Sequence, residues 1–496
     1  GDQGGIHRPA HDILADWGVS DLPLTFERAL NSAVARAVTR SNGSPSRIAQ
    51  HWLAARRDLR AAIWFDRAAK NADRAGTHSL TIAQLAHSKR LSELAQTRHK
   101  VKDLNHLALS ATAHWGVGKL RRAKHKLAEF DDLANLVPKS AAKRAALSRA
   151  ATIQSEVGQF AGNSRLILTG MWRGWSTSGS MVVAHEVKAR RQGFVYYALG
   201  LLQMPVEARL NRLIGKAHQS GEYRSQTLIG CSAATLHMIK CEWDKATAVL
   251  TSCNAAISQT DDRQMLGVAQ TLLGLCHLYQ GNADIAVDWF ERVAEMGRDQ
   301  DHHLFKVWGA YAKAEAYLYN GALEHAKALA HEARTASKGL GDHQSVCIIE
   351  GILAQVYLVD TNYALARKHA RNAARFAARL PPTNFSTLEG IAAPAQVGAE
   401  LMRRTGETDH ELDAIIRTGR KAFKSFARVF KVAQPRRHYI EGLYARAASD
   451  DRSARRHFRK AESMAAALGM QYEHLLSVSA LHDLEEKPDG ASTEIH

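Results

Sequence analysis

The chain has 496 residues, 45% of them hydrophobic and 23% charged, with only 10 prolines, which excludes a chain disordered throughout. Lys and Arg number 66 against 49 Asp and Glu, a formal charge of +17. That excess bears on what the protein attracts and not on how it folds.

In chain order, residues 1–40 show no clear repeat. They read as an N-terminal cap or the tail of a missing domain, with Gly1 expected to be a tag scar or a cut site in a longer protein. Residues 41–205 read as N-terminal helical repeats: Ala49, Ala61, Phe65 and Ala68 set a pattern that Ala111, Gly118, Ala123 and Leu127 repeat more weakly. Here Trp172 and Trp175, three apart, share one face of a helix and form a candidate anchor for a partner segment or a wide contact between helices. Residues 206–380 are the regular part. Ala246, Ala286, Ala326 and Ala366 stand 40 apart, each preceded by 12 residues by Ala234, Gly274, Ala314 and Ala354. The turns between fall at Cys241, Gly281, Gly321 and Thr361. Residues 381–435 stretch the spacing, carry Pro381, Pro382 and Pro394, and read as an irregular basic hairpin. Residues 436–496 return to the pattern at Gly442, Ala454, Phe458 and Ala461, then end in a cap.

A hairpin of two amphipathic helices cannot bury both apolar faces alone, so small residues at a fixed period predict stacked hairpins. The pattern resembles the tetratricopeptide signature, small at the eighth position, Ala at the twentieth, bulky at the twenty-fourth and small at the twenty-seventh. The expected fold is all-α: a right-handed α-solenoid of about ten to twelve tetratricopeptide-like (TPR) hairpins. The expected shape is one elongated array whose contacts run mostly between neighbours.

Catalytic motifs are missing from the sequence. Gly215-Lys216 lacks the upstream Gly of a phosphate loop, and no G-x-G-x-x-G follows a strand. His185-Glu186 and His331-Glu332 lack the second His of a zinc helix, since Ala189 and Thr335 stand there. His302-His303 with His325 and His331 match no ligand spacing. Five cysteines without a CxxC pair fit a reducing, cytoplasmic setting. No enzyme activity, cofactor or metal is therefore expected of this chain; the alternative reading is an enzyme built on a helical solenoid, with His and Glu residues lining a pocket.

In the TPR register, certain first-helix positions line a concave groove. They include Leu275 and Tyr279, then Trp308, Tyr311, Glu315, Leu318 and Tyr319, then Gln355. Such a groove suits an apolar protein or peptide segment, unless the superhelix closes and packs these side chains within it. Positive charge concentrates in residues 361–460, which hold 21 Lys and Arg against 9 Asp and Glu. There Arg367, Arg371, Arg375 and Arg379 form a stripe on one helical face, with Arg436 among the further cations. The stripe suits an acidic protein surface or nucleic acid.

The stretch Ala49-Gln50-His51-Trp52, followed by Ala61, Trp64, Ala68 and Ala69, is more specific. It resembles the first helical repeat after the ATPase module of large bacterial signalling proteins, among them nucleotide cyclases and transcription regulators. The resemblance implies a non-catalytic sensor or partner-docking region of a bacterial signal-transduction protein. It carries over neither the cyclase nor the ATPase residues.

Overall fold

The structure, a computed structural model, describes residues 23–96, 99–177, 185–406 and 409–485. These residues form 23 α-helices and two 3-10 turns, with no strand among them. The N-terminal part runs α1 (Leu24–Arg40), α2 (Pro45–Ala54), α3 (Asp58–Ala75), α4 (His78–Leu94), α5 (Lys100–Gly116), α6 (Leu120–Leu136), α7 (Ala141–Phe160), α8 (Ser164–Ser176), α9 (His185–Leu201) and α10 (Glu207–Gln219). Four regular hairpins follow: α11 (Tyr223–Ile239) with α12 (Trp243–Ile257), α13 (Arg263–Tyr279) with α14 (Ala283–Asp299), α15 (His303–Tyr319) with α16 (Leu323–Ala336), and α17 (His343–Val359) with α18 (Tyr363–Ala377). The C-terminal part is α19 (Leu388–Thr405), α20 (His410–Val429), α21 (Gln434–Ala447), α22 (Asp451–Ala467) and α23 (Gln471–Glu485).

The repeat signature explains the local structure. Cys241, Gly281, Gly321 and Thr361 take positive φ at the turns. Asp262, His302, Asp342 and Asn362 cap the helices that follow, each side chain accepting a backbone N–H at the third residue on. Ala246, Ala286, Ala326 and Ala366 are fully buried at the seams. At Gly274 a Cβ would lie 2.3 Å from the Phe290 ring, which is why that seam takes glycine.

The residues of the Ala-x-His-Trp element build the first core. Ala49, Trp52, Ala61 and Ala69 are buried, Arg60 lies 4.7 Å over the Trp52 ring, and His51 bonds Asn31 at 2.9 Å.

First and second helices bury differently. On α18 only one face is covered, mainly Ala366, Ala370, Ala373 and Ala377. On α17 most positions from Gln344 to Leu358 are buried, so that helix is covered nearly all round. The cover comes from distant parts of the chain. Arg224 donates to the Asp73 carbonyl at 2.7 Å, and Gln344 to the Gln159 carbonyl at 3.0 Å. Phe160 stacks on Trp308 at 5.5 Å, and Trp243 donates to the Leu468 carbonyl at 2.7 Å. The elongated array of neighbour contacts is therefore corrected: the superhelix coils tightly enough for successive turns to touch. The reason is the apolar, small-residue character of the first helices on both faces, which a neighbour hairpin alone would leave wet.

Candidate functional site

Tight coiling encloses an apolar cleft on the inner wall. Its volume is about 250 Å³, and α7, α11, α13 and α15 form its sides. Trp115, Phe160, Met265, Leu275, Trp308 and Tyr311 make most of the surface, and Phe385 from the turn before α19 closes one end. Gln159, Gln264, Thr235 and Asn384 supply polar groups at the edge, with Glu156 the only ionisable carboxylate among the lining residues. The aromatic wall is fixed by ring contacts: Trp115 lies 5.0 Å from Phe160, and Phe305 5.6 Å from Trp308. Trp308 also donates to Asp342, the buried cap of α17, at 3.4 Å. Burial raises the hydroxyl pKa of Tyr311 above its ordinary value, so this ring stays neutral.

The structure divides the expected groove residues into two sets. Leu275, Trp308 and Tyr311 line the cleft. Tyr279, Glu315, Tyr319 and Gln355 lie beyond its end, buried or half-buried under the C-terminal helices, and Leu318 is buried too. Tyr279, Glu315 and Tyr319 lie around Arg436, which is 0% exposed. Arg436 donates to Glu473 at 2.9 Å, to Gln396 at 3.1 Å and to Glu389 at 3.3 Å. Counting Arg436 with the surface cations is thus corrected, because two acids buried on α19 and α23 hold its charge inside. Sequence reading also missed Trp115, Phe160 and Phe385 as cleft residues. The signal for Arg436 was there in part: Glu315 and Glu389 are single acids within apolar runs.

The basic stripe is partly answered by the next hairpin. Arg367 pairs with Asp409 and Glu411, and Arg371 with Glu411 at 2.6 Å, where α20 presents its acidic first turn. Arg375 and Arg379 are exposed and make no ion pair with a described residue. Trp172 is 67% exposed on α8, and the Trp175 side chain lies outside the described residues.

The histidines settle into packing roles. His302 is buried, caps α15, bonds Gln264 at 2.7 Å and stacks on Phe305; burial pushes its pKa down to about 4. His331 bonds the Tyr357 hydroxyl at 2.8 Å, and His325 stands against Tyr317. Glu207, His237 and Glu242 come within 4.8 Å of one another in a ligand-like trio. Lys240 pairs with Glu207, and His237 bonds Glu242 at 2.6 Å, so each member of the trio already has a partner within the protein. All five cysteines are free, and burial pushes the Cys253 and Cys276 thiols up to about 12. Among the described residues no helix is long and apolar enough to cross a membrane.

No family model matches the chain, and no curated protein matches it. Solved structures do. A Rap protein complexed with competence and sporulation factor superimposes with a TM-score of 0.53 at 12% identity, over 76% of this chain and 99% of that one. The chain is an all-α solenoid of TPR-like repeats. The apo form of the quorum sensor NprR from B. thuringiensis gives a TM-score of 0.41 at 11% identity, over 68% of this chain and 98% of that one.

Proposed function

We propose that this TPR-like solenoid is a regulatory scaffold that docks a protein or peptide partner through its inner cleft. The observation that carries the reading is the apolar cleft itself. Its aromatic wall is held by ring-on-ring contacts, its edge holds amide groups suited to a peptide backbone, and it opens from inside a superhelix. At about 250 Å³ it has room for a short apolar segment and none for a folded domain. The Rap protein of similar fold is seen in complex with competence and sporulation factor, so this architecture is one that receives a partner. The Ala-x-His-Trp element adds the setting, a sensor or docking region within a bacterial signalling protein. The absence of catalytic motifs from the sequence supports a binding role over an enzymatic one.

The test is selection of displayed random peptides on the intact chain, followed by binding of the enriched peptides to variants. Trp308→Ala and Leu275→Ala should each weaken binding by roughly tenfold or more, with enriched peptides rich in large apolar residues. Equal binding by wild type and both variants would refute docking in the cleft.

A further inference from the structure

Beyond the cleft, three buried glutamates lie around one guanidinium, and two of them bond it. Glu315, Glu389 and Glu473 are each at most 1% exposed around Arg436. Arg436 joins Glu389, Gln396 and Glu473. The Tyr319 hydroxyl lies 2.9 Å from Glu389 and 3.2 Å from Glu315, and its ring stacks on Tyr472 at 3.7 Å. Gln396 donates to Gln355 at 3.2 Å. One network thus ties α15, α17, α19, α21 and α23 together. Such a network tends to be intact or broken as a whole, because removing one partner leaves another charge buried alone.

Of these helices α15 also lines the cleft, and α13 and the turn leading into α19 line it beside the network. Leu275, Tyr311 and Phe385 line it, and each is followed four residues on by a group at the network: Tyr279, Glu315 and Glu389. On α13 and α15 that spacing is one helical turn, so both residues share a face and move together. Phe385 lies in the 3-10 turn that runs directly into α19, and stands 6.0 Å from Tyr279. An occupant that shifts the Phe385 wall therefore shifts Glu389, a partner of Arg436. Filled and empty clefts then differ in the contacts they leave Arg436, which is what coupling between two places requires.

We propose that the Arg436 network is a latch coupling the inner cleft to the C-terminal helices α21 and α23, so that filling the cleft loosens them. It rests on the docking reading only for its natural trigger. The coupling itself is tested without any ligand, by filling the cleft with a side chain. Thr271 and Ser232 are half-buried wall residues on α13 and α11. Hydrogen exchange of the intact Thr271→Trp variant should show amides of α21 and α23 exchanging about fivefold faster or more, with α1 to α4 unchanged. Ser232→Trp, on the neighbouring helix α11, should do the same and serves if the first variant does not fold. In an Arg436→Met background, or Glu473→Gln if that fails to fold, the further rise should vanish. Unchanged exchange in both filled variants, or an undiminished rise without the latch, overturns the proposal. Failure of selected peptides to bind would refute the docking reading and leave this coupling standing.

Discussion

Glu315 and Glu350 are both buried glutamates on first helices, and their surroundings drive them in opposite directions. Burial, and then the neighbouring Glu389 charge, hold the Glu315 pKa well above the usual carboxylate range. The charged and titratable groups around it are Tyr319, Glu389, Glu473, Arg436, Tyr279 and Tyr311. The folded chain therefore holds this proton where the unfolded chain has lost it, and stability falls as pH rises above the ordinary glutamate value. Glu315→Gln should flatten that slope: thermal scans should show it gaining on wild type from pH 5 to pH 8. Parallel curves would refute a protonated Glu315. Burial opposes the charge on Glu350 as well, but His369 at 2.7 Å, Asn372 at 3.0 Å and Arg334 at 2.8 Å outweigh it and hold the pKa down to about 2. Its contribution is present above the ordinary value and is lost as pH falls toward the lowered one. Glu350→Gln should cost about 2 to 3 kcal/mol in urea unfolding at pH 7, and the deficit should shrink at pH 4. Single-residue chemistry of this kind was poorly legible in the sequence. Arg436 looked like its neighbour Arg437, because only the folded chain brings Glu389 and Glu473 to it.

At the scale of helices, close approach sets the tolerance of each seam. A Cβ on Gly309 would come within 2.7 Å of the Ala294 backbone, so α14 and α15 would have to part. Gly215 on α10 has nothing within 4 Å. Gly309→Ala should therefore destabilise by about 1 to 3 kcal/mol, while Gly215→Ala should stabilise by about 0.5 to 1 kcal/mol. Chemical denaturation of the two variants checks this, and equal effects would mean the seam yields freely. The repeat was legible here because helix pairing is local: a 40-residue period in side-chain size specifies which faces must meet. The Arg stripe was legible as a stripe, whereas its answer was not. Nothing in the spacing of Arg367 and Arg371 says that the acidic first turn of α20 will lie against them.

The whole molecule is governed by contacts between residues far apart in sequence. Gln159 donates to the Thr383 carbonyl at 2.9 Å, and the Tyr197 hydroxyl to the same oxygen at 2.7 Å. No periodicity marks such pairs, since each is fixed by the pitch of the superhelix. Of the expected groove residues, Leu275, Trp308 and Tyr311 lie on the cleft wall, and no spacing in the sequence says what covers Glu315 and Tyr319. Phe385 is likewise positioned by a residue far off in sequence, being buried at the cleft end beside Tyr279. Phe385→Ala should cost about 3 to 5 kcal/mol and enlarge the cleft, measurable as greater uptake of an apolar dye together with earlier thermal unfolding.

Docking in the cleft is tested most directly by site-specific cross-linking of a selected peptide. A photoreactive phenylalanine analogue replaces Leu272 inside the cleft, or Arg292 on α14 outside it. Cross-links from position 272 alone, competed away by unlabelled peptide, are the expected result. Cross-links from position 292 with none from 272 would contradict it, placing the partner on the outer face.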